Sequence, residues 1–198
     1  MAALALPRGR LFGRGLAALL IALSLAGMAR IAAGAMIPAK AAVAQILLER
    51  AFDRSVALRR PVKPWPWADM APVARIAVPR LGIDRIVLNS GSGQAMAFGP
   101  TVLPAAAGIG QPGTTVIAAH RDTHFRFMKN VRKGDVIALE GLDGIKRRYV
   151  VTGAEIVRWD RFAIVPGEGR QLALATCYPF GANRHGPLRY VLHAALLP

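Results

Sequence analysis

From Val73 onward, apolar and polar residues change places every one or two positions, in short stretches punctuated by glycine and proline. These stretches lie at 73–78, 84–88, 101–103, 114–119, 135–140, 147–152, 155–159, 171–176 and 188–194. They have the length and the two-residue period of β-strands, whose side chains alternate between faces. Helical periodicity is nearly absent. Eight or nine short strands in the last 126 residues therefore predict an all-β domain, closed into a barrel or stacked as a sandwich.

The N-terminus is patterned differently. Arg8, Arg10 and Arg14 precede an apolar run from Gly15 to Ala29, and Arg30 interrupts it before a second apolar stretch. A positive flank ahead of an apolar run marks an export signal or a signal anchor. The run before Arg30 is shorter than the roughly 20 residues a spanning helix needs, but continuing it to residue 37 completes a span with Arg30 near an interface. Ala33-Gly34-Ala35 would suit a cleavage site, whereas the amphipathic stretch 41–51 extends the helix and favours an uncleaved anchor. Either way, the positive-inside rule places everything after residue 40 outside the cytoplasm. Residues 59–72 contain four prolines, which break helices and predict an extended linker. The expected organisation is thus a basic N-terminus and signal anchor over 1–40, an amphipathic helix and Pro/Trp-rich linker over 41–72, and a β-domain over 73–198.

Composition narrows the classes. With 54% hydrophobic and 19% charged residues in 198, the chain cannot be intrinsically disordered, which requires low hydrophobicity and high charge. Its net charge of +15 would suit anionic lipid or an acidic polymer. The excess is spread along the chain, with no compact basic helix or aromatic-interleaved stripe, so no nucleic acid is expected as a partner. The single cysteine forbids an intramolecular disulfide and any multi-cysteine metal site.

That cysteine, Cys177, ends the strand Gln171–Thr176 and is followed by Tyr178-Pro179. Alternation puts Ala173, Ala175 and Cys177 on one face and Leu172, Leu174 and Thr176 on the other. The two alanines leave an open strip beside the thiol that a substrate backbone could approach; otherwise Cys177 is a packed core residue. His120 likewise ends the strand Thr114–Ala119, with Ala118 and Val116 on its face. A histidine there can exchange protons with a thiol elsewhere in the fold, since such pairing is spatial; the bland alternative is a solvent-facing turn residue. His124 follows at four residues, but no HExxH pattern supports a metal. His185 and His193 carry no motif. Arg189 shares a strand face with Val191, where its charge must reach water, a carboxylate or a ligand.

Taken together, Ala119-His-Arg-Asp-Thr-His-Phe125, Leu174-Ala-Thr-Cys-Tyr-Pro-Phe180 and Leu188-Arg-Tyr-Val191 resemble the histidine, cysteine and arginine motifs of the sortases, membrane-anchored cysteine transpeptidases. Lys63-Pro-Trp-Pro-Trp-Ala-Asp69 and Phe98-Gly-Pro100 resemble the proteobacterial branch related to class D. One departure is Ala173-Leu174 where the family's cysteine motif usually begins Thr-Leu. The resemblance implies an eight-stranded β-barrel with short helices in loops, following an N-terminal anchor in the cytoplasmic membrane with the barrel on the extracytoplasmic side. It implies Cys177 as nucleophile, His120 as acid and base, and Arg189 as stabiliser of the oxyanion or of the substrate backbone. Ala118, Ala173, Ala175 and Thr176 are the candidate substrate-binding positions. No cofactor or metal is expected. The implied partners are an exported protein carrying a C-terminal sorting signal and an amine acceptor in the cell envelope. A cysteine peptidase using water, or a non-catalytic membrane-tethered binding barrel, would share much of this sequence.

Overall fold

The computed structural model describes residues 8–162, 169–182, 184 and 186–198; His185 lies outside the described residues. Helix α1 (Arg8–Leu58) is followed by eight strands, and the chain divides into compact units Met1–Val43 and Ala44–Pro198. In the first unit, the 20 residues Gly13–Ala32 have a mean hydropathy of 1.9 and none of them is buried. By length and composition this segment can cross a membrane.

The second unit is a closed barrel with strand order β1-β2-β3-β4-β7-β8-β6-β5. Its strands are β1 (Pro72–Val78), β2 (Ile83–Leu88), β3 (Thr101–Val102), β4 (Gly113–Ala118), β5 (Val136–Gly141), β6 (Lys146–Arg158), β7 (Arg170–Cys177) and β8 (Leu188–Leu196). The β2–β3 and β4–β7 pairs are parallel and the others antiparallel. Closure between β2 and β3 rests on the single pair Leu88↔Thr101. Alternation aims Ile76, Ile117, Leu139, Leu172, Leu174 and Leu192 into one buried core, which the segment after β4 plugs with Phe125 and Met128.

The runs 147–152 and 155–159 form one strand, not two. β6 continues through a register shift between Val151 and Gly153, a bulge that re-aims the strand without ending it. Its far half thereby pairs with β8 as far as Arg158↔Leu188, one rung beyond Val157↔Arg189.

Leu48 and Phe52 of α1 form a second buried cluster with Ala68, Met70, Ile86, Leu88 and Ala95. Trp65 meets Phe98 edge to face at 5.4 Å. The end of the Pro/Trp segment is therefore packed against the barrel through Ala68 and Met70, which gain from burial, whereas Trp67 stays exposed. Outside this cluster, Arg75 bonds Glu49 at 2.5 Å and stacks over the Phe52 ring at 5.2 Å. A short helix, α2 (Gly93–Phe98), is N-capped by Ser92, whose hydroxyl accepts from Ala95 N. Gly99 ends it where any Cβ would lie 2.7 Å from the Ile86 carbonyl oxygen, so no larger residue fits without displacing β2. Gln45 of α1 donates to Phe98 O at 2.9 Å, tying α2 to the long helix.

Candidate active site

Three neighbouring strands bring the three candidate residues together. Ala118 and Ala175 are the last paired residues of the β4–β7 ladder, so His120 and Cys177 each lie two residues beyond the same rung. On the other side of β7, Cys177 pairs with Arg189. All three line one cleft of about 320 Å³ on the outer face of the β4-β7-β8 sheet, together with Met96, Leu103, Ala118, Ala175, Trp159, Phe162 and Val191.

The local sequence explains this face. Leu172 and Leu174 point into the barrel, so Ala173 and Ala175 point out. There Ala173 is buried with Val116 and Val191, against Ala175, Val157 and Phe162. Small residues here keep the cleft floor low beside the thiol. Ala118 and Ala175 border the cleft, while Ala173 lies beneath it. Thr176 reaches the cleft edge, but its buried hydroxyl donates to Ala119 O at 2.8 Å. It is thus turned from the thiol and ties β7 to the end of β4.

His120 is exposed, and its carbonyl accepts from Phe125 N at 3.1 Å, closing the turn behind it. Cys177 is half-buried. Arg189 Nη1 donates to Gly186 O and Leu188 O, both at 2.9 Å, which fixes the guanidinium plane. Among the described residues no carboxylate pairs with it and no acceptor engages its Nε or Nη2. A fixed, half-buried cation with free donors beside a thiol is suited to binding a carbonyl or an oxyanion.

His124 serves a different purpose. Its Nε2 contacts Ala97 O at 3.2 Å, joining the turn after His120 to α2. Burial, opposed by the bond to Ala97 O and aided by the nearby Arg85, holds its pKa below the ordinary imidazole range. His193 pairs with Glu155 at 2.9 Å on β6. No group of three or more His, Cys, Asp or Glu side chains converges as metal ligands among the described residues.

Sequence reasoning did not single out Met96, Leu103, Trp159 or Phe162 as cleft-lining residues. Trp159, 63% exposed, was legible as a large aromatic ending a β-run; α2 carries only the signal Ser92 followed by a short apolar turn. A separate cavity of about 550 Å³ is lined by Arg121, Asp122, Arg126, Lys129 and Arg184 together with residues 180–182. The thiol does not line it.

Comparison with known proteins bears on the family and the fold. A family profile described as "Sortase domain" matches residues 76–197. Sortase D of Bacillus subtilis (strain 168) is 35% identical over 83 residues, a match spanning 41% of this chain and 41% of the relative. The chain thus aligns with well under two thirds of that protein's length. Among solved structures, sortase C-1 from Actinomyces oris superposes with a TM-score of 0.56 at 26% identity, covering 64% of this chain and 75% of that one. A Clostridium perfringens Sortase D5 transpeptidase gives a TM-score of 0.64, covering 79% of this chain and 99% of that one; at 17% identity the likeness is one of fold.

Proposed function

Because the chain belongs to the sortase family, whose members are cysteine transpeptidases, we propose that it cleaves the C-terminal sorting signal of an exported protein and transfers the new acyl end to an amine. The observation that carries this reading is the convergence of His120, Cys177 and Arg189 from three adjacent strands on one apolar cleft. Cys177, as thiolate, attacks the scissile carbonyl, and the resulting oxyanion is stabilised by the free donors of Arg189. An arginine cannot serve as general base, since it does not release its proton near neutrality. His120 protonates the amine that leaves, giving a thioester on Cys177, and later takes a proton from the incoming amine as it restores an amide. The apolar N-terminal segment would anchor the chain in the cytoplasmic membrane, and the basic residues before it would keep the N-terminus inside and the barrel outside.

The test uses the full chain and the exported proteins of its source cell that end in a short motif, an apolar run and a basic tail. The expected result is a thioester-linked mass on Cys177, released by an added amine as an amide product. Cys177→Ala should fold and yield neither, since a small truncation there costs about 1–2 kcal/mol, within the stability of a normal domain. Cleavage by folded Cys177→Ala would end the enzyme reading. Products ending only in free carboxylate, despite abundant amine, would make it a peptidase.

A further inference from the structure

Arg121 follows His120 directly and is only 6% exposed, an unusual position for a charge in a turn. Its Nη1 donates to Pro179 O at 2.8 Å and its Nη2 to Ala182 O at 2.5 Å, while its Nε faces both Asp122 carboxylate oxygens at 3.1 and 3.3 Å. Both carbonyl acceptors belong to the segment after Cys177. The backbone ladder between these two stretches ends at Ala119 N to Ala175 O. Beyond that point the turn bearing His120 and the loop after Cys177 are joined by side chains. Thr176 reaches Ala119 O, linking the residues just before Cys177 and His120. Arg121 reaches Pro179 and Ala182, linking the residues just after them. Thiol and imidazole are bracketed by one cross-link below and a forked one above.

We infer that Arg121 is a positioning residue, whose guanidinium sets the approach of His120 to Cys177 by locking the loop after the cysteine onto the turn after the histidine. The inference rests on reading Cys177 and His120 as the reacting pair. Two observations separate it from a generic loop staple. Burying a cation is costly unless it is paired and hydrogen-bonded, and besides Asp122 the partners of this one are two carbonyls, both within five residues of the nucleophile. The side chain also spans a boundary across which, among the described residues, the backbone makes no bond beyond Ala119. Only a rigid fork can hold two carbonyls from separate peptide planes at fixed angles; a single ammonium cannot. A displacement of about 1 Å between reacting groups can lower a rate by about a hundredfold.

The experiment follows alkylation of Cys177 by iodoacetamide as a function of pH, for which the single cysteine gives an unambiguous signal, in the parent chain, His120→Ala, Arg121→Met and Arg121→Lys. Arg121→Lys retains the charge and much of the volume, and keeps the test open should Arg121→Met fail to fold. The expected result is that His120→Ala displaces the pH profile and that Arg121→Lys displaces it in the same direction. In parallel, kcat for transfer should fall by at least about tenfold with KM little changed. A folded Arg121→Lys or Arg121→Met protein with lowered Tm, an unmoved profile and unmoved kcat would overturn the inference while leaving the reacting pair intact. A profile indifferent to His120→Ala would overturn the pair assignment and this inference with it.

Discussion

Cys177 and Arg189 face each other across the β7–β8 ladder. The next pair outward is joined by a hydrogen bond from Tyr178 N to Leu188 O at 3.0 Å, so Cys177 and Arg189 occupy the alternate, non-hydrogen-bonded rung. In antiparallel sheets that rung brings the Cα atoms to about 4.5 Å and the side chains closest together. The pairing makes the cation a fixed neighbour of whatever carbonyl meets the thiol.

Arg189→Lys should therefore lower kcat/KM at least tenfold, because it keeps the charge and loses the fork; removing one oxyanion donor typically costs about 10²–10³ in rate. Tm should be unchanged, and Cys177 should still react with a small alkylating agent. Arg184 is the control, being exposed in the turn after β7. If Arg184→Lys is damaging and Arg189→Lys is silent in steady-state assays, the cation that matters belongs to the turn.

Thr176→Val should destabilise the barrel by about 1–3 kcal/mol despite its matched shape, because the buried Ala119 carbonyl loses its donor. Thr176→Ser should recover most of the loss. Urea unfolding measures both. Equal stability of the valine variant and the parent would remove the Thr176–Ala119 bond from the account of how β4 and β7 are joined.

Asp135 predicts a pH dependence. Its nearly buried carboxylate accepts from Arg80 Nε and Nη2, both at 2.6 Å, and from Arg132 N at 2.8 Å. The Arg80 hydrogen bonds, against opposition from burial, hold its pKa below the usual carboxylate range. A depressed folded-state pKa contributes stability that is present above the unfolded value of about 3.9 and is lost as pH falls through the folded value. Asp135→Asn should thus be less stable than the parent at pH 7 and lose less stability on acidification below about pH 4. Parallel slopes in denaturation across that window would contradict this.

How far the molecule was legible depended on the range of the causes. The Leu-Ala-Leu-Ala alternation before Cys177 displays an inner and an outer face locally, and His120, Cys177 and Arg189 sit at strand ends that the pattern marks. β6 read as two strands because Thr152-Gly153 looks like a break, whereas β8 on its other side carries the pairing through the bulge. α2 has only six residues, too few for a helical period to emerge. Arg121 reads as an ordinary turn arginine, since its burial comes from carbonyls 58 and 61 positions away. Trp65, among prolines, gives no hint of the Phe98 ring it meets.

The parallel seam between β4 and β7 also governs when His120 and Cys177 come together. Thr176 and Ala119 are 57 positions apart, and parallel pairing over such a separation requires closing a long chain loop before any contact rewards it. Neither a hairpin of β7 and β8 nor a partial barrel lacking this seam holds His120 beside Cys177. Until that pairing is made, Cys177 stands without the histidine that the folded barrel sets beside it.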